Sequence, residues 1–184
     1  MTVAELAAVA FGAAYIVLAI REQRACWIAG GIGTAIYAAV FVDAGLPMQA
    51  ALQLVYVAMS AYGWYAWRRQ PAGAGPVRSW PWWRHLAAAA AIGIATAITA
   101  PLAVRYASAA APVADSLGTW ASLFATWLLA RRIIDTWVWW VVIDSGLAAL
   151  FAHQGLWMTA ALYLAYAVLA VAGWRSWRAR RAVA

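Results

Sequence analysis

Residues 45–68 read GLPMQAALQLVYVAMSAYGWYAWR, and residues 155–178 read GLWMTAALYLAYAVLAVAGWRSWR. Aligned without a gap at an offset of 110, they agree at 12 of 24 positions. Alanine agrees by chance in such a composition. Gly45/Gly155, Met48/Met158, Tyr56/Tyr166, Gly63/Gly173, Trp64/Trp174 and Trp67/Trp177 are harder to dismiss. The same offset pairs Arg21 with Arg131, Trp27 with Trp137 and Phe41 with Phe151, so the match extends beyond the quoted segments. An internal repeat of this length marks a duplicated structural unit.

Each quoted segment is apolar and about as long as a helix that crosses 30 Å of hydrocarbon. Similar stretches recur along the whole chain of 184 residues, which is 67% hydrophobic and only 10% charged, with mean hydropathy +0.75. A soluble domain of that size needs more charge on its surface. In lipid, by contrast, helices satisfy their own backbone groups. The expectation is an all-α integral membrane protein with seven transmembrane helices over about 3–20, 27–43, 48–67, 85–104, 115–130, 134–152 and 156–175. Met1 to Ile20 carries Glu5 and no basic n-region, and reads as a retained first helix instead of a signal peptide. Pro71, Gly73, Gly75, Pro76 and Pro81 mark a loop between the third and fourth helices.

The basic residues test that count. With seven helices, twelve of the 13 arginines fall after helices 1, 3, 5 and 7, on one side, and Arg105 alone falls on the other. Positive-inside topology then puts the N-terminus outside and the C-terminus in the cytoplasm of a multi-pass inner-membrane protein. Trp64, Trp67, Trp80, Trp82, Trp83, Trp174 and Trp177 gather at the same ends, as an interfacial aromatic belt would. The net charge of +7 is therefore topological and does not point to nucleic acid. An offset of four helices keeps both copies in one orientation, giving a 3+1+3 parallel-repeat plan. Its divisions are residues 1–67, a cytoplasmic linker with connecting helix 4 over 68–110, and a second triple-helix repeat with a basic tail over 111–184. Substrates of such carriers bind near mid-membrane.

Candidate binding residues follow from polarity at membrane depth. Asp144 lies in the middle of helix 6, where an acid costs about 2.5–3.5 kcal/mol to insert and usually faces a cavity or a partner. Trp137, Trp140 and Asp144 are spaced i, i+3, i+7 on one face. Two indoles and a carboxylate suit a flat cationic ring; the competing reading is interhelical hydrogen bonding and packing. The repeat partner of Asp144 is Thr34 and that of Trp140 is Gly30, so the halves differ where an asymmetric ligand would require it. Gln49, Gln53, Tyr56 and Ser60 form a polar stripe on helix 3, matched on helix 7 by Thr159, Tyr163 and Tyr166. Helix 5 adds Asp115, Thr119, Ser122 and Thr126 on one face, of which Thr119, Ser122 and Thr126 read better as interhelical glue. Asp43, Glu5 and His153 are expected near the outer surface, and Asp135 in a local ion pair with Arg131 and Arg132. The single cysteine, Cys26, excludes an internal disulfide. No metal-ligand set, nucleophile–base set or phosphate loop is present, so neither an enzyme nor a bound cofactor or metal is expected.

With these residues in view, the chain resembles the PnuC family of bacterial B-vitamin transporters over nearly its whole length. The resemblance is densest in LQLVYVAMSAYGWYAW (Leu52–Trp67), TWVWWVVID (Thr136–Asp144) and GLWMTAALYLAYAVLAVAGWRSW (Gly155–Trp177). It implies the 3+1+3 fold, facilitated diffusion of an unphosphorylated vitamin, and trapping by a cytoplasmic kinase. It also implies binding through a Trp-x-x-Trp-x-x-x-Asn motif and a helix 3 glutamine, here Trp137, Trp140, Asp144 and Gln53. Aspartate stands in place of asparagine. A carboxylate suits the pyridinium of nicotinamide riboside or the thiazolium of thiamine, and suits neutral riboflavin less. The expected partners are thus a small vitamin and the lipid bilayer, and a homo-oligomer is compatible with the sequence. In the expected mechanism the repeats rock about a ligand held by Asp144, Trp140 and Gln53, while the aromatic set closes the cytoplasmic side. If Asp144 is instead a proton site, the protein is a proton-coupled carrier.

Overall fold

A computed structural model describes residues 3–43, 47–68, 77–107 and 112–181. Among these, seven helices follow in order: α1 (Val3–Ile20), α2 (Ala25–Asp43), α3 (Pro47–Trp67), α4 (Trp82–Ala107), α5 (Pro112–Ala130), α6 (Thr136–His153) and α7 (Trp157–Arg181). Ala25–Asp43, Trp82–Leu102, Thr136–His153 and Trp157–Arg180 are long and apolar enough to cross a membrane, and Leu6–Ile20 is a shorter apolar helix. Gln49, Gln53 and Ser60 lower the hydropathy of α3, and Asp115, Ser116, Thr119 and Ser122 that of α5.

Helix limits follow local chemistry. α3 and α5 open on Pro47 and Pro112, at the position where a missing N–H costs nothing. α6 ends on Gly155 with φ 77°, where Gly155 N–H reaches Ala152 O and Leu156 N–H reaches Phe151 O, a Schellman closure. α1 and α5 close in the same way, but on Glu22 (φ 55°) and Arg132 (φ 53°). Glu22 N–H reaches Ala19 O and Gln23 N–H reaches Leu18 O; Arg132 N–H reaches Leu129 O and Ile133 N–H reaches Leu128 O. Every residue in the second set is the first shifted by 110. Two non-glycine residues in this left-handed conformation cost about 1–2 kcal/mol each.

The chain forms two compact units. One contains Met1–Val77, Leu129–Arg132 and Arg175–Ala184; the other contains Arg78–Leu128 and Ile133–Trp174. In the first, α1 packs on α2 and α2 on α3. Trp27 of α2 lies flat on Gly63 of α3, where a Cβ would overlap the indole. In the second unit Trp137 lies on Gly173 in the same way, with a Cβ placed 2.6 Å from the ring. Both residues of the pair are shifted by 110. A core of Ile92, Ala121, Ala125 and Ile143 joins α4, α5 and α6, with Phe124, Trp139, Trp140 and Leu147 packed against it.

The linker differs from expectation. Asp135, expected beside Arg131 and Arg132, is engaged by the linker. Its carboxylate accepts from Ser79 Oγ (3.1 Å) and Trp80 N–H (2.7 Å), and His85 Nε2 lies at 3.3 Å. Ile134 N–H donates to Arg78 O, so residues 78–80 are stitched to the entrance of α6. Asp135 occupies the N-cap position of α6 yet makes no capping bond, because the linker takes its oxygens. Residues 69–76 and 44–46 and the side chains of Glu5, Met48 and Arg105 lie outside what is described, and with them the expected turns at Pro71, Gly73, Gly75 and Pro76 and three of the repeat identities.

Candidate functional site

On α6 the face predicted from spacing is present. Asp144 is buried, 4% exposed, and among the described residues no hydrogen bond or ion pair reaches its carboxylate. Tyr163 of α7 stands within electrostatic reach of it. That ring stacks on Phe151 (centroids 5.3 Å) and meets Tyr166 edge-on (5.9 Å). A carboxylate at membrane depth is ordinarily paired or exposed to a water-filled cavity.

Trp140 packs against the Ala121, Ala125 and Ile143 core, which fixes its indole one turn before Asp144. Trp137 is buried on Gly173, so one face of its ring is occupied by backbone. In the first unit, Gln49 is exposed, Gln53 and Tyr56 are half-buried, and Ser60 is buried. Thr34 is half-buried, and its hydroxyl donates to Gly30 O of its own helix at 2.9 Å. A back-bonded threonine has little donor capacity left for a ligand. The helix 6 face of Trp137, Trp140 and Asp144 thus lies in one unit, with Tyr163 of the helix 7 stripe, and the α3 stripe lies in the other.

Sequence reasoning missed a reversal between the repeats. In the first, Tyr15 and Phe11 of α1 lie on Gly30 and Gly33 of α2: a Cβ on Gly30 would stand 2.9 Å from Tyr15, and one on Gly33 3.2 Å from Phe11. At the offset of 110 these four positions become Ala125, Ala121, Trp140 and Ile143, which share one core. Large faces small in both cases, but the large residue has moved from the first helix to the second. The signal was present in the sequence as paired exchanges at one offset, though not as contacts.

A second group was also missed. Trp67 and Trp177 were expected in an interfacial belt, and are instead fully buried. Trp67 Nε1 donates to Ala130 O at 3.1 Å, and Trp177 Nε1 donates to Ala19 O at 3.2 Å. Each indole thus caps the end of the first helix of the other repeat. Between them Glu22 Oε2 and Arg132 Nη1 stand 3.8 Å apart. Arg180 Nη1 donates to Glu22 Oε1 at 3.1 Å, and the Arg132 guanidinium lies 4.6 Å over the Trp67 ring. Burial pushes the Arg132 guanidinium below its ordinary range, with Glu22 acting in the opposite direction. Trp82 and Trp83 remain exposed, as a belt requires.

Comparison with known proteins agrees with this architecture. The family model for nicotinamide mononucleotide transporters matches residues 2–179. The nicotinamide riboside transporter PnuC of Escherichia coli is 25% identical over 187 residues, covering 87% of this chain and 78% of that protein. The riboflavin/roseoflavin transporter RibM of Streptomyces davaonensis is 29% identical over 136 residues, covering 70% of this chain and 64% of that one. The crystal structure of the vitamin B3 transporter PnuC superposes with a TM-score of 0.75 at 20% identity, over 97% of this chain and 81% of that one, so the fold is shared. With the family matched across nearly its entire length, the chain belongs to the PnuC family of membrane transporters.

Proposed function

We propose that this chain is an inner-membrane uniporter for nicotinamide riboside, carried by facilitated diffusion and trapped by phosphorylation in the cytoplasm. The observation that carries the reading is the buried Asp144 carboxylate, unpaired among the described residues and one turn from Trp140. A pyridinium brings the missing positive charge and a flat ring for an indole and for Tyr163. Gln53 offers a donor and an acceptor to the ligand's polar groups, with Gln49 and Tyr56 further along its stripe. Trp137, seated on Gly173, acts as a wall beside Trp140, and Thr34, bonded to Gly30, has little left to offer a ligand.

The 3+1+3 plan is part of the proposal, with divisions at residues 1–67, 68–110 and 111–184. It is supported by two equivalences at an offset of 110, the left-handed helix ends and the Trp–Gly seats, and by the exchanged indole bonds, whose acceptors differ by one position. The arginine distribution supports an outer N-terminus and a cytoplasmic C-terminus. Thiamine, also cationic, is the second reading, and Asp144 serves its thiazolium equally. The likeness to RibM keeps riboflavin as a third ligand to test, although a neutral flavin leaves Asp144 without a counter-charge.

Calorimetric titration of the purified protein with nicotinamide riboside, thiamine and riboflavin tests the reading. Nicotinamide riboside is expected to bind, and Asp144→Asn to weaken it by about tenfold or more, each decade being about 1.4 kcal/mol. Gln53→Ala is expected to weaken it less. Binding of riboflavin alone, unaffected by Asp144→Asn, removes the cation argument. Uptake into proteoliposomes that follows an imposed pH gradient replaces the uniporter with a proton-coupled carrier.

A further inference from the structure

The buried charge group at the ends of α1 and α5 has features that a static core contact would not need. Glu22 and Arg132 are the same position in the two repeats. Each takes the left-handed conformation that glycine adopts at the matching closure of α6. Glycine would fill that position at lower cost, so the side chains are what the strain retains. Both are nearly fully buried, at 1% and 3% exposure. Their contact with each other is long: 3.8 Å lies beyond a hydrogen bond, whereas Arg180 holds Glu22 at 3.1 Å. A buried pair of this kind adds little stability over an apolar pair of the same size, because both ions lose their hydration.

The same desolvation makes the contact easy to open. Parting an apolar seal exposes hydrocarbon to water, which is unfavourable throughout. Parting Glu22 from Arg132 returns both ions to water, which recovers their hydration and offsets the lost attraction. Arg180, 37% exposed, already holds the Glu22 carboxylate at 3.1 Å, so one partner of the buried acid stands at the surface. On either side, the two exchanged indole bonds tie α3 of the first repeat to the end of α5, and α7 of the second to the end of α1. We infer that Glu22 and Arg132, flanked by the Trp67 and Trp177 bonds, form a reversible clasp that closes the cytoplasmic exit and parts during each transport cycle. This rests on the transporter reading, but not on which vitamin is carried.

Cys26, the single cysteine, is fully buried beside this group and reports its opening. The test is the rate of alkylation of Cys26 by N-ethylmaleimide in the purified full chain, read by intact mass. Gel filtration and circular dichroism verify folding, and no vitamin is needed. Glu22→Gln removes the negative charge that faces the buried Arg132 guanidinium and is expected to speed alkylation about tenfold. The double variant Glu22→Gln with Arg132→Gln removes both charges and with them the gain on hydration, so it is expected to alkylate at or below the wild-type rate. A role confined to packing predicts the opposite order, the double variant being at least as fast as the single. That order, or a single variant no faster than wild type, overturns the inference. If Glu22→Gln does not fold, Trp177→Phe removes one indole bond and leaves the ions in place. Faster alkylation then supports the clasp, and an unchanged rate overturns it. Because the probe is maleimide, failure here leaves the calorimetric test of the vitamin untouched.

Discussion

Gly63 and Gly173 are positions where a single methyl group has a large effect. Each receives the flat face of a tryptophan from the neighbouring helix, Trp27 or Trp137. The contact is with the indole's fused-ring atoms, which cannot swing aside as the tip of a lysine would. Gly173→Ala should therefore cost about 1–3 kcal/mol of overpacking, seen as a lower thermal midpoint in detergent. Loss of vitamin affinity should accompany it, since Trp137 and Asp144 share a helix face. Thr34→Val makes a contrasting prediction: its hydroxyl already serves Gly30 O, so affinity should stay within about twofold. All four residues of the two Trp–Gly seats are legible in the sequence as repeat identities. That they touch is not, because identity at a fixed offset says which positions correspond and nothing about which face each other.

At the scale of elements, the α1–α2 pair and the α5–α6 pair solve one packing problem in opposite ways. Aromatic residues on α1 sit over glycines on α2, whereas Trp140 and Ile143 on α6 share a core with alanines on α5. Enlarging the small side should harm only its own repeat. Ala125→Leu is expected to displace Trp140 and weaken vitamin binding by about tenfold, while Gly30→Ala should act mainly through Tyr15 and on stability. Calorimetry and a thermal melt on both variants separate the two outcomes. Helix limits were predicted closely, since apolar runs in a membrane chain have few competing explanations. The fate of Asp135 was not, because its partners Ser79, Trp80 and His85 are 50 to 56 residues away and no local rule reaches them. Asp135→Ala should free residues 78–80 from the entrance of α6, and trypsin should then cleave after Arg78 and Arg84 faster than in wild type.

For the whole molecule, sidedness is the testable consequence of the arginine distribution. In a Cys26→Ser background, cysteine placed at Thr2 should react with an impermeant maleimide in intact cells. Cysteine placed at Ala184 should react only after lysis. The reverse pattern would invert the carrier and make the clasp an outer gate. Fold class, helix number and the repeat were readable from the chain because lipid imposes one simple constraint on every span. The residues that distinguish the halves were harder to see. Thr34 against Asp144 and Gly30 against Trp140 are visible substitutions, but Glu22 against Arg132 reads like ordinary charge at a helix end until the two are found together.

That opposition of charge has a consequence for how such a chain arose and assembles. A protein made of two identical copies of the first repeat would bring glutamate against glutamate at this position, and two copies of the second would bring arginine against arginine. Neither like pair is tolerable at such burial. With both positions of one sign the two helix ends would repel, so the opposite charges of Glu22 and Arg132 favour the pairing of unlike halves over like ones.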